Sequence, residues 1–285
     1  MLLIPPSGLS TIQTHVTATT DETATFSISV TSGAGANAKN ATYTQLIATT
    51  TYASYGIMVQ LAGLQTTAST NQRCLVDIAL GGAGAEVVII PNLTCGNVAD
   101  YVASSAQGVS YFFPIYIPAG VRVAATSQAS TGADVVNVAV RLFQHPMGAG
   151  GWFGSRVTAY GADTTNSRGT SVTPAQNAFT TVTQIVASTT YPIRYMQMGY
   201  DLLSDTTGAS TRMLAKIIGG ASAVTLVDML PLKESTTIEA VNFTDANFIL
   251  SRLMFNLPAA SDLRVAISRD AATPEARGVI LYGVD

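Results

Sequence analysis

Apolar and polar residues alternate with a period of two over many short stretches of this chain, the signature of strands with one buried face. In Cys74-Leu-Val-Asp-Ile-Ala-Leu80, Val76, Ile78 and Leu80 fall on one face and Leu75, Asp77 and Ala79 on the other. The first set is expected to be buried. Val136, Val138, Val140 and Leu142 line one face of a later stretch, and Ser54–Leu61 is rich in residues that suit a pleated surface. Val87–Ile90 is a short apolar run, expected to stop at the turn signal Pro91-Asn92. Tyr111–Ile117 alternates in part, with Pro114 marking an edge or a bulge. Pro118-Ala-Gly120 reads as a tight turn, because proline presets its own φ and glycine permits a positive one. No segment sustains a helical period; short helical turns are expected only near residues 97–105 and 236–242. Strands of this length with turns between them predict an antiparallel sandwich or jelly roll. Upstream, Ala24–Val30 alternates cleanly and is followed by the flexible Thr31-Ser-Gly-Ala-Gly-Ala36. That strand either completes its own sheet or pairs with a neighbouring molecule as an arm.

The pattern occurs twice. Gln45-Leu-Ile-Ala-Thr-Thr-Thr-Tyr52 returns as Gln184-Ile-Val-Ala-Ser-Thr-Thr-Tyr191, a shift of 184 − 45 = 139. Arg73 returns as Arg212 at the same shift, Ile117-Pro-Ala119 as Leu257-Pro-Ala259 at 140, Arg122-Val-Ala124 as Arg264-Val-Ala266 at 142, and Leu142-Phe143 as Leu281-Tyr282 at 139. Ordered anchors at a nearly constant shift indicate a duplicated unit. The predicted architecture is all-β, with two tandem homologous antiparallel β-sandwich, jelly-roll-like domains. A Thr-rich leader or arm spans 1–42, the first repeat 43–145, a Gly-rich and polar linker or leader 146–181, and the second repeat 182–285. One large sandwich with internal pseudo-symmetry is the competing arrangement.

Composition narrows the function. Charged residues are 11% of the chain and the formal net charge is -3. Ordinary soluble domains carry about 25% charged residues. A surface so poor in charge fits one hidden against other subunits, or else a neutral Thr- and Ser-rich sheet face. No basic stripe is present, which argues against nucleic-acid binding. No apolar run reaches membrane-spanning length, and Met1–Pro6 does not read as a signal peptide, so synthesis in a cytoplasm is expected. Cys74 and Cys95 have no cysteine counterparts in the second repeat and no metal-ligand spacing; a single bridge between them stays open.

Catalytic chemistry finds little support. His15 and His145 lack the carboxylate and nucleophile context of a triad, and no metal, thiol-redox or phosphate-loop motif occurs. Gly81-Gly-Ala-Gly84 recurs as Gly219-Gly-Ala221 and reads as a hairpin turn. Asp77 and Glu86 flank that hairpin and are the nearest approach to a glycosidase pair, but Lys216 replaces Asp77 in the second repeat. No enzyme activity, cofactor or metal is therefore expected. The candidate contact residues are the recurring Arg73, Arg122, Arg212 and Arg264, whose guanidinium forks suit either an assembly contact or a strand-edge hydrogen bond. To these are added the aromatic group Trp152, Phe153 and Tyr160 between the repeats, while Tyr52 and Tyr55 lie near a strand start. That group suits a domain or subunit contact, or a sugar platform.

The segments Arg73–Leu93, Phe112–Gly120 and Arg168–Ala175 resemble repeats in uncharacterised proteins of tailed phages and prophages. The resemblance spans most of both repeats, though the second diverges at Lys216 and at Val227–Pro231. It implies a β-rich, low-charge virion component: a capsid decoration or cement protein, or a head–tail or tail accessory. Such a protein would be located in the virion and partnered by itself and other virion proteins. A receptor- or glycan-binding module of a phage tail, with a host glycan as partner, is the alternative. The resemblance supplies no catalytic residues.

Overall fold

The computed structural model describes residues 27–64, 72–97, 108–144, 152–202, 212–220, 223–233, 254–270 and 276–285. His15, His145 and the two expected helical turns (beyond Asn97, and near 236–242) lie outside these residues. Every regular element among the described residues is a strand.

The first sandwich is built from β1 (Ile28–Thr31), β2 (Thr44–Ile47), β3 (Gly56–Leu64), β4 (Gln72–Leu80), β5 (Val87–Asn97), β6 (Gly108–Phe113), β7 (Val123–Ala129) and β8 (Val135–Phe143). One sheet runs β1-β8-β3-β6 and the other β2-β7-β4-β5. The chain thus passes repeatedly from one sheet to the other, the winding of a jelly roll. The second sandwich comprises β9 (Val157–Tyr160), β10 (Ala162–Asp163), β11 (Arg168–Val172), β12 (Ala175–Gln176), β13 (Val182–Val186), β14 (Ile193–Leu202), β15 (Arg212–Gly219), β16 (Val224–Lys233), β17 (Met254–Leu257), β18 (Leu263–Arg269) and β19 (Arg277–Val284). Its sheets run β11-β19-β14-β17 and β12-β18-β15-β16, with β10 beside β11, β13 also paired to β18, and β9 to β19. Each strand of the first order has an equivalent in the second. The leader strands follow the same rule: β1 pairs along β8 and β11 along β19, so each completes a sheet of the repeat that follows it.

Backbone pairing gives a stricter alignment of the repeats than residue identity does. Cys74 lies opposite Ala129 as Met213 lies opposite Arg269, which sets β4 to β15 at 139 and β7 to β18 at 269 − 129 = 140. Gln60 lies opposite Ala139 as Gly199 lies opposite Ile280, which sets β3 to β14 at 139 and β8 to β19 at 280 − 139 = 141. Arg264 is therefore the equivalent of Ala124, not of Arg122, and Leu142 corresponds to Gly283. Both sequence matches slipped by two residues. A slip of two keeps every side chain on its own face, so alternation alone cannot detect it.

The turn at Pro118 is conserved in geometry. Thr50 Oγ1 donates to the Pro118 carbonyl at 2.7 Å and accepts the Val121 N–H at 3.1 Å. Thr189 Oγ1 donates to the Pro258 carbonyl at 3.4 Å and accepts the Ser261 N–H at 3.2 Å. The residue closing the turn has a positive φ in both repeats, 77° at Gly120 and 60° at Ala260.

Two sequence expectations change. Strand β5 does not stop at Pro91-Asn92 but continues to Asn97. It is an edge strand, so a proline loses no ladder hydrogen bond there. A bulge between Val76 and Ile78 absorbs the irregularity, and Asp77 accepts the N–H of Asn92 at 2.8 Å. Likewise β4 is buried on both faces from Cys74 to Ala79. On the face of Asp77, Lys39 from the leader pairs with that carboxylate. In the second repeat the charges are inverted: Lys216 lies 3.3 Å from Asp228 and over the ring of Phe179.

The two sandwiches share one contiguous hydrophobic core cluster. Edge strands β5 and β6 of the first meet the outer face of the β14/β19 sheet of the second. Tyr195 Oη donates to the Phe112 carbonyl at 2.7 Å, and Gln197 Oε1 accepts the Phe112 N–H at 3.1 Å. Tyr282 Oη donates to the Asn92 carbonyl at 2.8 Å and accepts the Thr94 N–H at 2.8 Å. These side chains satisfy backbone groups that an exposed edge would leave open to other chains. Gly199 leaves room for the approach: a Cβ there would stand 2.7 Å from Thr94 Cγ2 and 2.8 Å from Tyr111 Oη. As a result β19 is buried along its whole length, whereas its equivalent β8 alternates and exposes Arg141 at the position of Tyr282.

Candidate functional site

The linker forms the wall of a cleft at the domain junction. Gly154 N–H donates to the Pro114 carbonyl at 2.7 Å, and Tyr116 N–H donates to the Gly154 carbonyl at 3.2 Å, so Trp152-Phe153-Gly154 lies parallel beside Pro114–Tyr116. Only glycine fits at 154, because a Cβ would stand 2.2 Å from the Asp285 carbonyl oxygen. This wedge holds Phe153 against Tyr55, with ring centroids 4.8 Å apart, and Tyr55 stands 5.5 Å from Tyr116. The three rings form a shelf on which Tyr116 is 44% and Phe153 39% exposed. Beside it opens a cleft of about 470 Å³ lined by Tyr116, Trp152, Phe153, Ser155, Pro192, Arg194 and Asp285.

The polar groups of the cleft divide into committed and uncommitted. The Asp285 carboxylate pairs with Arg156 Nε at 2.8 Å and accepts Ser155 Oγ and the Arg156 N–H, each at 3.1 Å. Arg156 also lies over the Tyr191 ring, 3.9 Å from its centroid. Arg194 is exposed between the buried Ile193 and Tyr195 of β14 and makes no ion pair among the described residues. Aromatic faces beside a free guanidinium can hold an apolar ring face and an anionic or hydroxyl-bearing group together.

The candidate residues named from sequence separate into different environments. Trp152 and Phe153 line the cleft, but Tyr160 is buried on β9 against β19, and burial raises its hydroxyl pKa. Arg122 is held inside the first repeat: it pairs with Glu86 at 2.6 Å and donates to the Tyr43 carbonyl at 3.2 Å. That contact holds the Glu86 carboxyl below its ordinary pKa. Arg264 pairs with Asp262 on its own strand end. Arg73 exchanges backbone bonds with Ser130, its N–H donating to Ser130 Oγ at 3.0 Å and its carbonyl accepting the Ser130 N–H at 2.8 Å. Arg212 lies opposite Lys233 at the start of β15, and its side chain is outside the described residues. Asp77 and Glu86 are bound to separate cations, Lys39 and Arg122.

Sequence reasoning missed Tyr116 and Arg194 of the cleft. Alternation along β14 groups Arg194 with the buried Met196, Met198 and Tyr200, so the sequence pattern gave no sign of its exposure. It also missed Arg269 and Arg277, two of the largest fully buried side chains, since arginine seldom occupies such positions. Asp134 is buried as well, and desolvation raises its pKa to about 6 against a single backbone bond from Val135. Among the described residues, no group of three or more His, Cys, Asp or Glu side chains is placed to hold a metal.

No family model matches the chain, and no curated protein matches it. Among solved structures it is similar to PNGF-II in two crystal forms, at 7% and 8% identity with TM-scores of 0.39 and 0.40. It spans 65% of the length of those chains, while the match covers 91% and 90% of its own. It is also similar to the STIV MCP, a viral major capsid protein, at 11% identity and a TM-score of 0.30, over 90% of this chain and 94% of that one.

Proposed function

We propose that this chain is a non-enzymatic structural protein of a virus particle, working through protein–protein assembly. The observation that carries the reading is the joining of two identically wound jelly rolls by an edge-to-face junction in which backbone edges are capped by Tyr195, Gln197 and Tyr282. Jelly rolls recur in capsid and lectin domains. A tandem body with few charges is suited to repeated contacts in a shell or tube. Exposed apolar side chains support this: Val87 at the start of β5 and Val224 at the equivalent start of β16 both face solvent. Burying such surface contributes roughly 25 cal/mol per Å². Partners would be further copies of the chain and other particle proteins; the finer assignment to a tailed-phage head or tail rests on the sequence resemblance alone. Light scattering on the purified chain, with co-sedimentation on particles, tests the reading. Self-association or particle binding is the expected result, and a stable monomer indifferent to capsids and tails would sink it.

The junction cleft favours a second reading, a glycan-binding module of a particle's tail. Lectin domains are found among jelly rolls, and the aromatic shelf is the feature that supports this reading. Binding of the pure protein to host cells separates it from the first reading.

A further inference from the structure

We infer that the cleft between the aromatic shelf and Arg194 is a binding site for a saccharide that carries a carboxylate, such as a uronic or sialic acid unit. This deepens the glycan-binding reading and rests on it. The shelf supplies two exposed ring faces, Tyr116 and Phe153, held in place by Tyr55 behind them. Sugar rings present C–H faces that pack on aromatic faces, while their hydroxyls need polar partners at the rim. The rim offers Ser155 and Asp285.

The guanidinium of Arg194 favours an acidic sugar over a neutral one. The carboxylate of Asp285 is already neutralised by Arg156. Arg194 is exposed, lines the same cleft and has no carboxylate among the described residues. Arg194 therefore keeps a guanidinium that no carboxylate of the described residues engages. A guanidinium fork matches a carboxylate bidentately, which gives orientation as well as attraction. The site is also pre-formed. Its wall is tied down by the hydrogen bonds between Gly154 and the Pro114–Tyr116 segment. A wall already in place loses little entropy when a ligand binds.

The test uses the full chain with tetragalacturonate and 3′-sialyllactose as acidic probes, and cellotetraose and lactose as neutral ones, in calorimetric titration and saturation-transfer NMR. An acidic probe is expected to bind, and Arg194→Ala to weaken it by about tenfold, with Arg194→Lys recovering part of the loss. Phe153→Ala is expected to abolish binding; the residue is exposed, so an unchanged Tm shows that the fold survives. Binding of neutral probes that Arg194→Ala leaves untouched would overturn the acidic assignment while keeping the glycan reading. No binding of any probe would overturn both, as would loss of self-association in Phe153→Ala without any saccharide effect, which marks the shelf as a protein contact.

Discussion

The hydroxyl of Tyr282, on the second sandwich, accepts the backbone N–H of Thr94 on the first at 2.8 Å. The same hydroxyl donates to the Asn92 carbonyl, so one side chain satisfies two backbone groups on the edge of β5. The rings of Tyr282 and Tyr111 meet edge to face at 5.4 Å, and Tyr111 Oη donates to the Thr94 carbonyl. Replacing Tyr282 by Phe keeps the ring contacts but leaves a buried N–H and a carbonyl without this partner. The expected cost is about 1–3 kcal/mol in urea unfolding. Arg141→Ala, at the solvent-facing equivalent in the first repeat, is expected to stay within about 0.5 kcal/mol of wild type. Equal effects at the two positions would show that the junction adds nothing to stability.

The turn closed by Gly120 in one repeat and Ala260 in the other gives a paired backbone experiment. Both residues have positive φ, where a Cβ is costly. Ala260→Gly is expected to stabilise by roughly 0.5–1 kcal/mol, offset in part by the greater freedom of glycine when unfolded, and Gly120→Ala to destabilise by about 1 kcal/mol. Thermal unfolding of both variants reads the signs directly. Two shifts of the same sign would contradict the shared turn geometry.

The strands and the duplication were legible in the sequence because alternation reports burial on one face, as in Val136, Val138, Val140 and Leu142, all fully buried. What alternation does not report is what covers the other face. Strand β19 looks like an ordinary half-buried strand until Ile280, Tyr282 and Val284 are found beneath the first sandwich. The equivalences of Arg122 and Leu142 slipped for the same reason, since a two-residue shift preserves the pattern. The cleft was half legible. Trp152 and Phe153 stood out as aromatics in a Gly-rich linker, but Tyr116 follows β6 in the first repeat and Arg194 lies on β14 in the second, and only the folded junction brings them together.

Asp134 makes stability fall as pH rises through a mildly acidic window. Its carboxyl is buried, accepts one N–H from Val135 and has its pKa pushed up to about 6. In the unfolded chain an aspartate titrates near 3.9. Between about pH 4 and 6 the folded state therefore holds the extra proton, and stability declines with rising pH until it levels off above about 6. A shift of this size corresponds to a loss on the order of 3 kcal/mol. Asp134→Asn keeps the acceptor for Val135 and removes the titration. Denaturant unfolding should find the variant more stable than wild type at pH 7 and close to it at pH 4. A wild-type advantage at pH 7 would show that the folded carboxylate has a stabilising partner.

Cys74 and Cys95 lie directly opposite each other on β4 and β5, so their side chains share one face of the sheet, and both are buried. The Cys74 thiol pKa is pushed well up, first by its hydrogen bond with Cys95 and then by burial. The thiolate is the reactive form, so a raised pKa together with lack of access suppresses alkylation. In the folded protein neither thiol should label with iodoacetamide at pH 7.5 over a time in which a free cysteine peptide reacts completely. In guanidinium chloride both should label without added reductant, read as two carbamidomethyl groups by intact mass. Rapid labelling of the native chain would mean that the β4–β5 pair opens readily. Labelling in denaturant only after reduction would mean that a disulfide, not two thiols, joins these strands, and the cross-strand separation of directly paired residues lies within the range such a bond accepts.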